Sequence, residues 1–500
     1  MIRVDSHHRS GKSCLNRSGA NRSTRHHAKP IQLSAQRSMR ADQASHPAPS
    51  ARLENPFRMK ASLHPSRTVA LLFLAVIVVG TLLLMLPYAS ADGQSASLLT
   101  AAFTAVSAVC VTGLVVVDTG SYWSTFGQWV ILLLFQFGGF GMMTLATLLG
   151  LMVNRSFRLR TKLVAQVESH SLGLGDITSV AKLVLVVTLG MEALITALLT
   201  LRLHVGYGLP WDQAAWSGLF HAVSAFNNAG FSIHADSLMG YAGDSLILTP
   251  VMAAIIIGGI GFPVLQDLRN RLRDPRHWSL HTKLTLSGTV LLLLGGFLVM
   301  LLAEWSNPRT LGAMTLDDKL LSAAFASVSA RTAGFNSIDI GALTHESWAV
   351  HYFLMFIGGG SAGTAGGVKI TTVAVLVLLV VAEIRGRSDT EAFGRRVSDS
   401  AQRQAITVLV LGSAMVVLGT LVILRNTEIP TDQVIFEVIS AFGTVGLSTG
   451  ITADLPPSSQ WMLTLLMFAG RVGTITLATS LALGEHRMPY RYPEEHPIVG

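Results

Sequence analysis

Four short segments of the 500-residue chain carry the residues best placed to do chemistry: FTAVSAVCVTGL, FHAVSAFNNAGF, FASVSARTAGF and FEVISAFGTVGL. Aligned on the Ser-Ala pair, they place Gly113, Gly230, Gly334 and Gly446 six, six, five and six residues after Ser107, Ser224, Ser329 and Ser440. Glycine admits φ > 0 and puts no side chain into a lumen, so such a segment can turn its carbonyl oxygens toward a common axis. Carbonyls arranged in this way replace the hydration shell of a bare cation. The candidate cation-binding residues are therefore Val111, Thr112 and Gly113; Asn228, Ala229 and Gly230; Thr332, Ala333 and Gly334; and Thr444, Val445 and Gly446. Close helix packing explains any one glycine in an apolar chain, but not a set of four in register.

A second glycine marker follows 24 to 28 residues beyond each of these: Gly138-Gly139-Phe140-Gly141, Gly258-Gly259-Ile260-Gly261, Gly358-Gly359-Gly360 and Gly470-Arg471-Val472-Gly473. The third extends into Gly358-Gly359-Gly360-Ser361-Ala362-Gly363-Thr364-Ala365-Gly366-Gly367-Val368-Lys369. Six glycines in ten residues cannot sustain a helix. A phosphate-binding loop is a poor fit, because Lys369 follows Val368, no Gly-Lys-Ser/Thr occurs, and both flanks are apolar. In the fourth marker, Arg471 sits deep in an apolar run, where an arginine is costly and normally faces the bundle interior with a partner.

The elements that must position these residues are membrane helices. Half of the residues are hydrophobic, 13% are charged and the mean hydropathy is +0.50, too apolar for a soluble enzyme of this size. Apolar runs at about 68–88, 127–153, 179–201, 246–266, 284–303, 349–382, 404–424 and 460–483 each approach or exceed the roughly 20 residues that span a bilayer. Stretches near 97–110, 213–226, 318–330 and 432–442 are too short to span and precede the four glycines. The expected fold is an all-α integral membrane protein: four repeats of helix, re-entrant helix with pore loop, and helix around a central ion pore, with eight spanning helices, like a potassium channel. Its parts are a disordered basic tail (1–62), repeat one (63–163), repeat two (164–282), repeat three with the glycine-rich interruption (283–402), repeat four (403–486) and a C-terminal tail (487–500). Each re-entrant helix, about 15 Å long, would point the partial negative charge of its C-terminus at the axis.

The formal charge of +8 suggests nucleic acid until it is divided by position. Residues 1–67 hold 13 Lys and Arg against Asp5, Asp42 and Glu54, a net of +10, which leaves −2 for residues 68–500. Basic connections (Arg155, Arg158, Arg160 and Lys162; Arg269, Arg271, Arg273, Arg276 and Lys283; Arg385, Arg387, Arg395, Arg396 and Arg403) place those loops and both termini in the cytoplasm. The opposite face is acidic and would gather cations. The long polar lead is no cleaved signal, and Met39 or Met59 is an alternative start. Two cysteines, Cys14 and Cys110, exclude a disulfide framework and a cysteine zinc site. Enzyme chemistry finds no H-E-x-x-H and no paired aspartates on the apolar runs.

On VTGL, FNNAGFS, SARTAGF and the glycine-rich run, residues 63–485 resemble the Trk/Ktr/HKT superfamily of potassium transporters. With one spanning helix before the first glycine segment, the chain is most similar to the Ktr-type pore subunit. The resemblance implies potassium uptake through a selectivity filter with one glycine per repeat, and stimulation by sodium. It implies a gating loop under the filter made by Gly358, Gly359, Gly360, Ser361, Gly363, Thr364, Gly366, Gly367 and Lys369, with Arg471 beside it as barrier or anchor. It also implies a homodimer docked on a cytosolic ring of nucleotide-binding, RCK-type regulatory subunits in the bacterial inner membrane, and no organic cofactor. The competing reading is a coupled K⁺/H⁺ or K⁺/Na⁺ symporter or a sodium-permeable transporter, which would need buried titratable groups along the path. Glu192 is one such group, more in keeping with a structural pair. Arg331 either tunes the outer filter or anchors its helix to a carboxylate such as Glu437. His7-His8 and His26-His27 lie in the tail, where metal binding is not expected.

Overall fold

A computed structural model describes residues 65–139 and 177–473, all within one compact unit, Ser62–Gly500. The basic tail with its histidine pairs, the first basic connection, Phe140 and Gly141, and the C-terminal tail lie outside the described residues.

The chain runs as α1 (Pro65–Leu84), α2 (Leu98–Val109), a single turn α3 (Thr119–Tyr122), α4 (Thr125–Gly139), α5 (Ile177–Tyr207), α6 (Trp211–Phe226), α7 (Ser245–Ile260), α8 (Phe262–Arg271), α9 (Leu280–Glu304), α10 (Leu316–Ser329), α11 (His345–Phe356), α12 (Ile370–Ile384), α13 (Asp399–Asn426), α14 (Thr431–Gly443) and α15 (Pro457–Phe468). A small antiparallel hairpin, β1 (Glu391–Ala392) with β2 (Arg395–Arg396), turns at Phe393 and Gly394, both at positive φ. A π-helical turn, Ala469–Gly473, follows α15.

Among the described residues, three helices are long and apolar enough to cross a bilayer: Val184–Tyr207 within α5, α9, and α13. They display leucine and valine outward; Leu302 on α9 is 76% exposed. That arrangement suits a helix whose solvent is lipid. A fourth span is present only if α7 and α8 count together, and these meet at 95°. The bend has a local cause: Gly261 stands at φ 101, outside the range of other residues, and Pro263 opens the next helix. The eight runs read from hydropathy are thus divided differently in the structure. The run at 246–266 bends, the run at 349–382 is split into α11 and α12, and the runs at 127–153 and 460–483 continue past the described residues.

Helices α2, α6, α10 and α14 are short and buried. Each carries a phenylalanine four residues before its Ser-Ala pair, and Phe103, Phe220, Phe325 and Phe436 are fully buried. Burying an aromatic ring contributes roughly 1.5–3 kcal/mol, so these four anchors set how deep each short helix sits. Ser97 and Thr315 cap α2 and α10 by accepting from Thr100 N and Asp318 N. Pro210 and Pro430 precede α6 and α14.

Candidate functional site

At the C-terminal end of each short helix the chain leaves the helical path in the same way. Val111, Asn228, Thr332 and Thr444 have φ of 57, 58, 69 and 50°, and Gly113, Gly230, Gly334 and Gly446 have φ of 88, 68, 80 and 95°. Thr112, Ala229, Ala333 and Val445 between them keep negative φ. Alternating handedness sets successive peptide carbonyls on one side of the strand and N–H groups on the other. A non-glycine residue in the left-handed region costs about 1–2 kcal/mol, and β-branched Val111, Thr332 and Thr444 are uncommon there. Surrounding packing must hold this strain, as it does at functional sites.

The holding contacts are repeated too. Thr112 N, Ala229 N and Val445 N donate to Ser107 O, Ser224 O and Ser440 O, each at 2.8 Å. In the third segment, one residue shorter, Ala333 N donates to Ser329 O at 3.0 Å. The serine hydroxyls complete the tie. Ser107 Oγ and Ser440 Oγ accept from Gly113 N and Gly446 N at 3.1 Å, while Ser224 Oγ donates to Phe231 O at 2.8 Å and Ser329 Oγ donates to Phe335 O. The serine that served to align the segments is therefore the clasp between helix and strand.

The four segments adjoin one another in cyclic order. A methyl group built on Gly113 would meet Ala229 O and lie 3.0 Å from Gly230 Cα; one on Gly230 would lie 2.7 Å from Ala333 O and 2.9 Å from Gly334 Cα. One on Gly334 would meet Val445 O and lie 3.2 Å from Gly446 Cα, and one on Gly446 would meet Thr112 O and lie 3.1 Å from Gly113 Cα. Each glycine thus touches the carbonyl of the next segment, and the fourth returns to the first. All twelve candidate residues converge here.

The glycine-rich run packs against these segments. A parallel bridge between Ile357 and Val368 closes its neck. Gly360 N and Thr364 N donate to Gly259 O and Gly258 O at 2.8 and 3.1 Å, which pins the run to the bend between α7 and α8. Gly366 packs against Thr444 Oγ1 of the fourth segment. Ser361 Oγ lies 3.2 Å from Thr371 Oγ1, Thr364 Oγ1 donates to Phe226 O at 3.4 Å, and Lys369 Nζ donates to Ala365 O at 2.6 Å. Lys369 therefore folds back on the loop. Gly358, Gly359, Gly363 and Gly367 each face backbone or the Ala365 methyl where a side chain would stand.

Arg471, 4% exposed on the π-helical turn, spans the site. Its Nη1 donates to Thr364 O at 2.5 Å and its Nη2 to Gly138 O at 2.7 Å, joining the glycine-rich run to α4. Glu192 on α5 accepts from Gln136 Nε2 at 3.2 Å and Asn227 Nδ2 at 3.1 Å, a polar knot tying α4, α5 and the end of α6. Arg331 does not pair with Glu437. It donates to Gly358 O at 3.3 Å, while the Glu437 carboxylate is taken by Ser448, Thr449 and Thr452. The physical reason is reach: Glu437 turns to the strand of its own segment, and Arg331 turns to the glycine-rich run.

Two features were not anticipated from sequence. One is the buried Glu304 at the end of α9, which accepts from Asn307, Thr310, Thr344 N and Oγ1, and Ser347; the density of Ser and Thr at 306–315 and 344–347 was the available signal. The other is the left-handed conformation two residues before each glycine, which of the four residue types there only Asn228 announces.

Comparison with known proteins gives the family of the chain. The family model for TrkH, described as cation transport proteins, matches residues 43–487. The chain is 38% identical over 436 residues to the Ktr system potassium uptake protein B of Bacillus subtilis, covering 87% of this chain and 97% of that one. It is 36% identical over 452 residues to the potassium/sodium uptake protein NtpJ of Enterococcus hirae, covering 89% and 99%. The crystal structure of the potassium transporter TrkH from Vibrio parahaemolyticus superposes with a TM-score of 0.65 at 20% identity, covering 84% of this chain and 85% of that one, and so shares the fold. The chain is thus a membrane protein and a cation transporter rather than an enzyme, and it belongs to the TrkH family of cation transport proteins.

Proposed function

We propose that this chain carries potassium ions inward across the bacterial inner membrane through a pore on the axis of its four glycine segments. The observation that supports this most is the cyclic contact of those segments, each glycine against the next carbonyl. One strained backbone, repeated four times around an axis, is what a bare cation needs from a protein that must replace its water. The inside-negative potential supplies about 2.3 kcal/mol per charge per 100 mV, enough to drive uptake without a nucleotide site in this chain. On this reading residues 63–163, 164–282, 283–402 and 403–486 are four pore repeats with eight membrane-crossing segments. The glycine-rich run is the gate, and Arg471 is its anchor in the closed state.

The same reading takes the protein as a homodimer resting on a cytosolic RCK-type regulatory ring, with the termini on that side and sodium as a stimulant. The name of the Enterococcus hirae relative joins sodium to potassium, so sodium permeation is the reading to test beside it. Growth of a potassium-uptake-deficient bacterium at low potassium, with sodium varied and the regulatory partner supplied, tests both. Rescue by the wild type at low potassium is expected, and failure to rescue overturns the uptake reading. Gly334→Ser should lose rescue or shift ion preference; rescue with unaltered preference overturns the filter assignment alone.

A further inference from the structure

The four short helices differ at one position that bears on the glycine ring. Three residues before the Ser-Ala serine stand Thr104, His221, Ala326 and Glu437. Two are titratable, and both are buried: His221 is 3% exposed and Glu437 is fully inaccessible. Each reaches the residue two beyond its glycine, and in both cases that residue is a serine. Ser448 Oγ donates to Glu437 Oε1 at 2.6 Å. His221 Nε2 lies 2.8 Å from Ser232 Oγ.

The direction of the second bond follows from its surroundings. His221 Nδ1 lies 2.8 Å from Ser217 O, and a carbonyl only accepts, so Nδ1 carries the proton and Nε2 of the neutral ring accepts from Ser232. Ser232 Oγ has one hydrogen and two acceptors in range, His221 Nε2 at 2.8 Å and Ser237 O at 3.4 Å; the shorter contact takes it, so both serines give their hydroxyl hydrogen to a buried acceptor on the short helix. Both also accept a backbone N–H from two residues on: His234 N at 3.0 Å and Gly450 N at 2.9 Å. Glu437 takes in addition Thr449 N and Thr452 Oγ1, each at 2.9 Å. The corresponding places in the first and third segments hold Val115 and Asn336, with Thr104 and Ala326 behind them. In the cyclic order of contacts the second and fourth segments face each other across the ring.

We propose that His221 and Glu437 are paired positioning residues. Each locks the serine beyond its glycine, and together they fix the carbonyls of Gly230 and Gly446 along one diagonal of the ring and so set which cation the ring prefers. The segments of the other diagonal lack this clamp. The inference rests on the reading of the ring as the cation path. A carbonyl ring discriminates through the number and rigidity of its oxygens, so loosening one diagonal acts on affinity and preference before it acts on the turnover of a saturated carrier.

The test is potassium uptake by the full-length protein with its regulatory partner, in cells lacking other uptake systems, measured as half-saturation, maximal rate and competition by sodium. Ser232→Ala and Ser448→Ala each remove one hydroxyl and leave the buried acceptor in place. The expected result for each is a half-saturation raised by about tenfold, the scale of one hydrogen bond to a buried acceptor, with weaker preference over sodium and a maximal rate per carrier near that of the wild type. Ser232→Thr and Ser448→Thr keep the hydroxyl and should restore both properties. Unchanged half-saturation and preference in the alanine variants overturn the proposal. A fall only in the amount of protein in the membrane overturns it as well, since that is what a structural role alone predicts. A wild type that takes up no potassium overturns instead the uptake reading on which the proposal rests.

Discussion

The glycines around the ring and the glycines of the second marker occur four times each, yet they behave oppositely. At the ring all four segments take left-handed φ at the same two positions, and the serine ties each one down, by accepting from the glycine N–H in the first and fourth and by donating to the next carbonyl in the second and third. At the second marker the described residues diverge: α4 and α7 are helical through Gly138-Gly139 and Gly258-Gly259, α7 then breaks at Gly261 and turns by 95°, the third opens into the Gly358–Lys369 run, and the fourth winds into a π-helical turn. What they retain is contact. Gly138, Gly258 and Gly470 each pack against the carbonyl two residues past the serine of their own short helix, at Val109, Phe226 and Phe442. Under the proposed reading, a shared cation demands one geometry of all four segments at the axis. Below it the only common demand is close approach, which leaves each repeat free to take a different device.

The sharpest way to break this comparison is at the ring. Gly446→Ala drives a methyl into Thr112 O at φ 95, and Gly113→Ala drives one into Ala229 O at φ 88. Both should abolish potassium uptake, by at least ~100-fold given a clash and a left-handed strain at one site; a variant retaining uptake near the wild-type rate would remove its glycine from the path. Next in size is Arg471→Ala, which removes two charge-assisted hydrogen bonds, each worth roughly 1.5–3 kcal/mol, between the glycine-rich run and its neighbours. Basal uptake in the absence of the activating ligand should rise several-fold, and an unchanged rate and regulation in a flux assay would end the anchor role. The smallest effect separates two touching glycines at the lower level. A methyl on Gly359 would meet Gly259 O and lie 2.6 Å from the Ala365 methyl, whereas one on Gly259 meets no backbone and lies 3.2 Å from the end of the Asn228 side chain. Gly359→Ala should lower the unfolding temperature in detergent, while Gly259→Ala should cost less than about 1 kcal/mol. Equal losses would mean that the two levels are not built differently.

Much of this was legible in sequence because it depends on spacing. The Ser-to-Gly intervals located the four short helices, and α2, α6, α10 and α14 lie within a few residues of the stretches marked by hydropathy. The interval of five in the third segment reappears as a shared carbonyl: Ser329 O accepts from both Ala333 N at 3.0 Å and Gly334 N at 3.4 Å, where the other segments make one five-residue bond. What sequence did not reveal depends on side-chain direction. Anchoring Arg331 to Glu437 is one of two readings of that arginine that sequence allows, beside tuning the outer filter, but each side chain turns to a different strand of backbone. Glu304, the acidic residue just past the apolar run at 284–303, is fully buried and holds together the loops at 307–310 and 344–347. The bend at Gly261 was equally silent, because hydropathy runs on unbroken through a kink.

The return of the fourth segment to the first carries a consequence for how the molecule is made. Thr112 and Gly446 meet, although nearly the whole described chain lies between them. Contacts so distant along the chain form late and slowly. If the four segments are pore repeats, as proposed, the first three would form an open arc during synthesis, with the carbonyl of Thr112 still awaiting the last repeat. On the proposed reading, ion discrimination therefore cannot exist in any intermediate of assembly. It appears in one step, when the final repeat closes the circle, so a chain stopped short of residue 446 would leave an incomplete arc rather than a leaky copy of the finished pore.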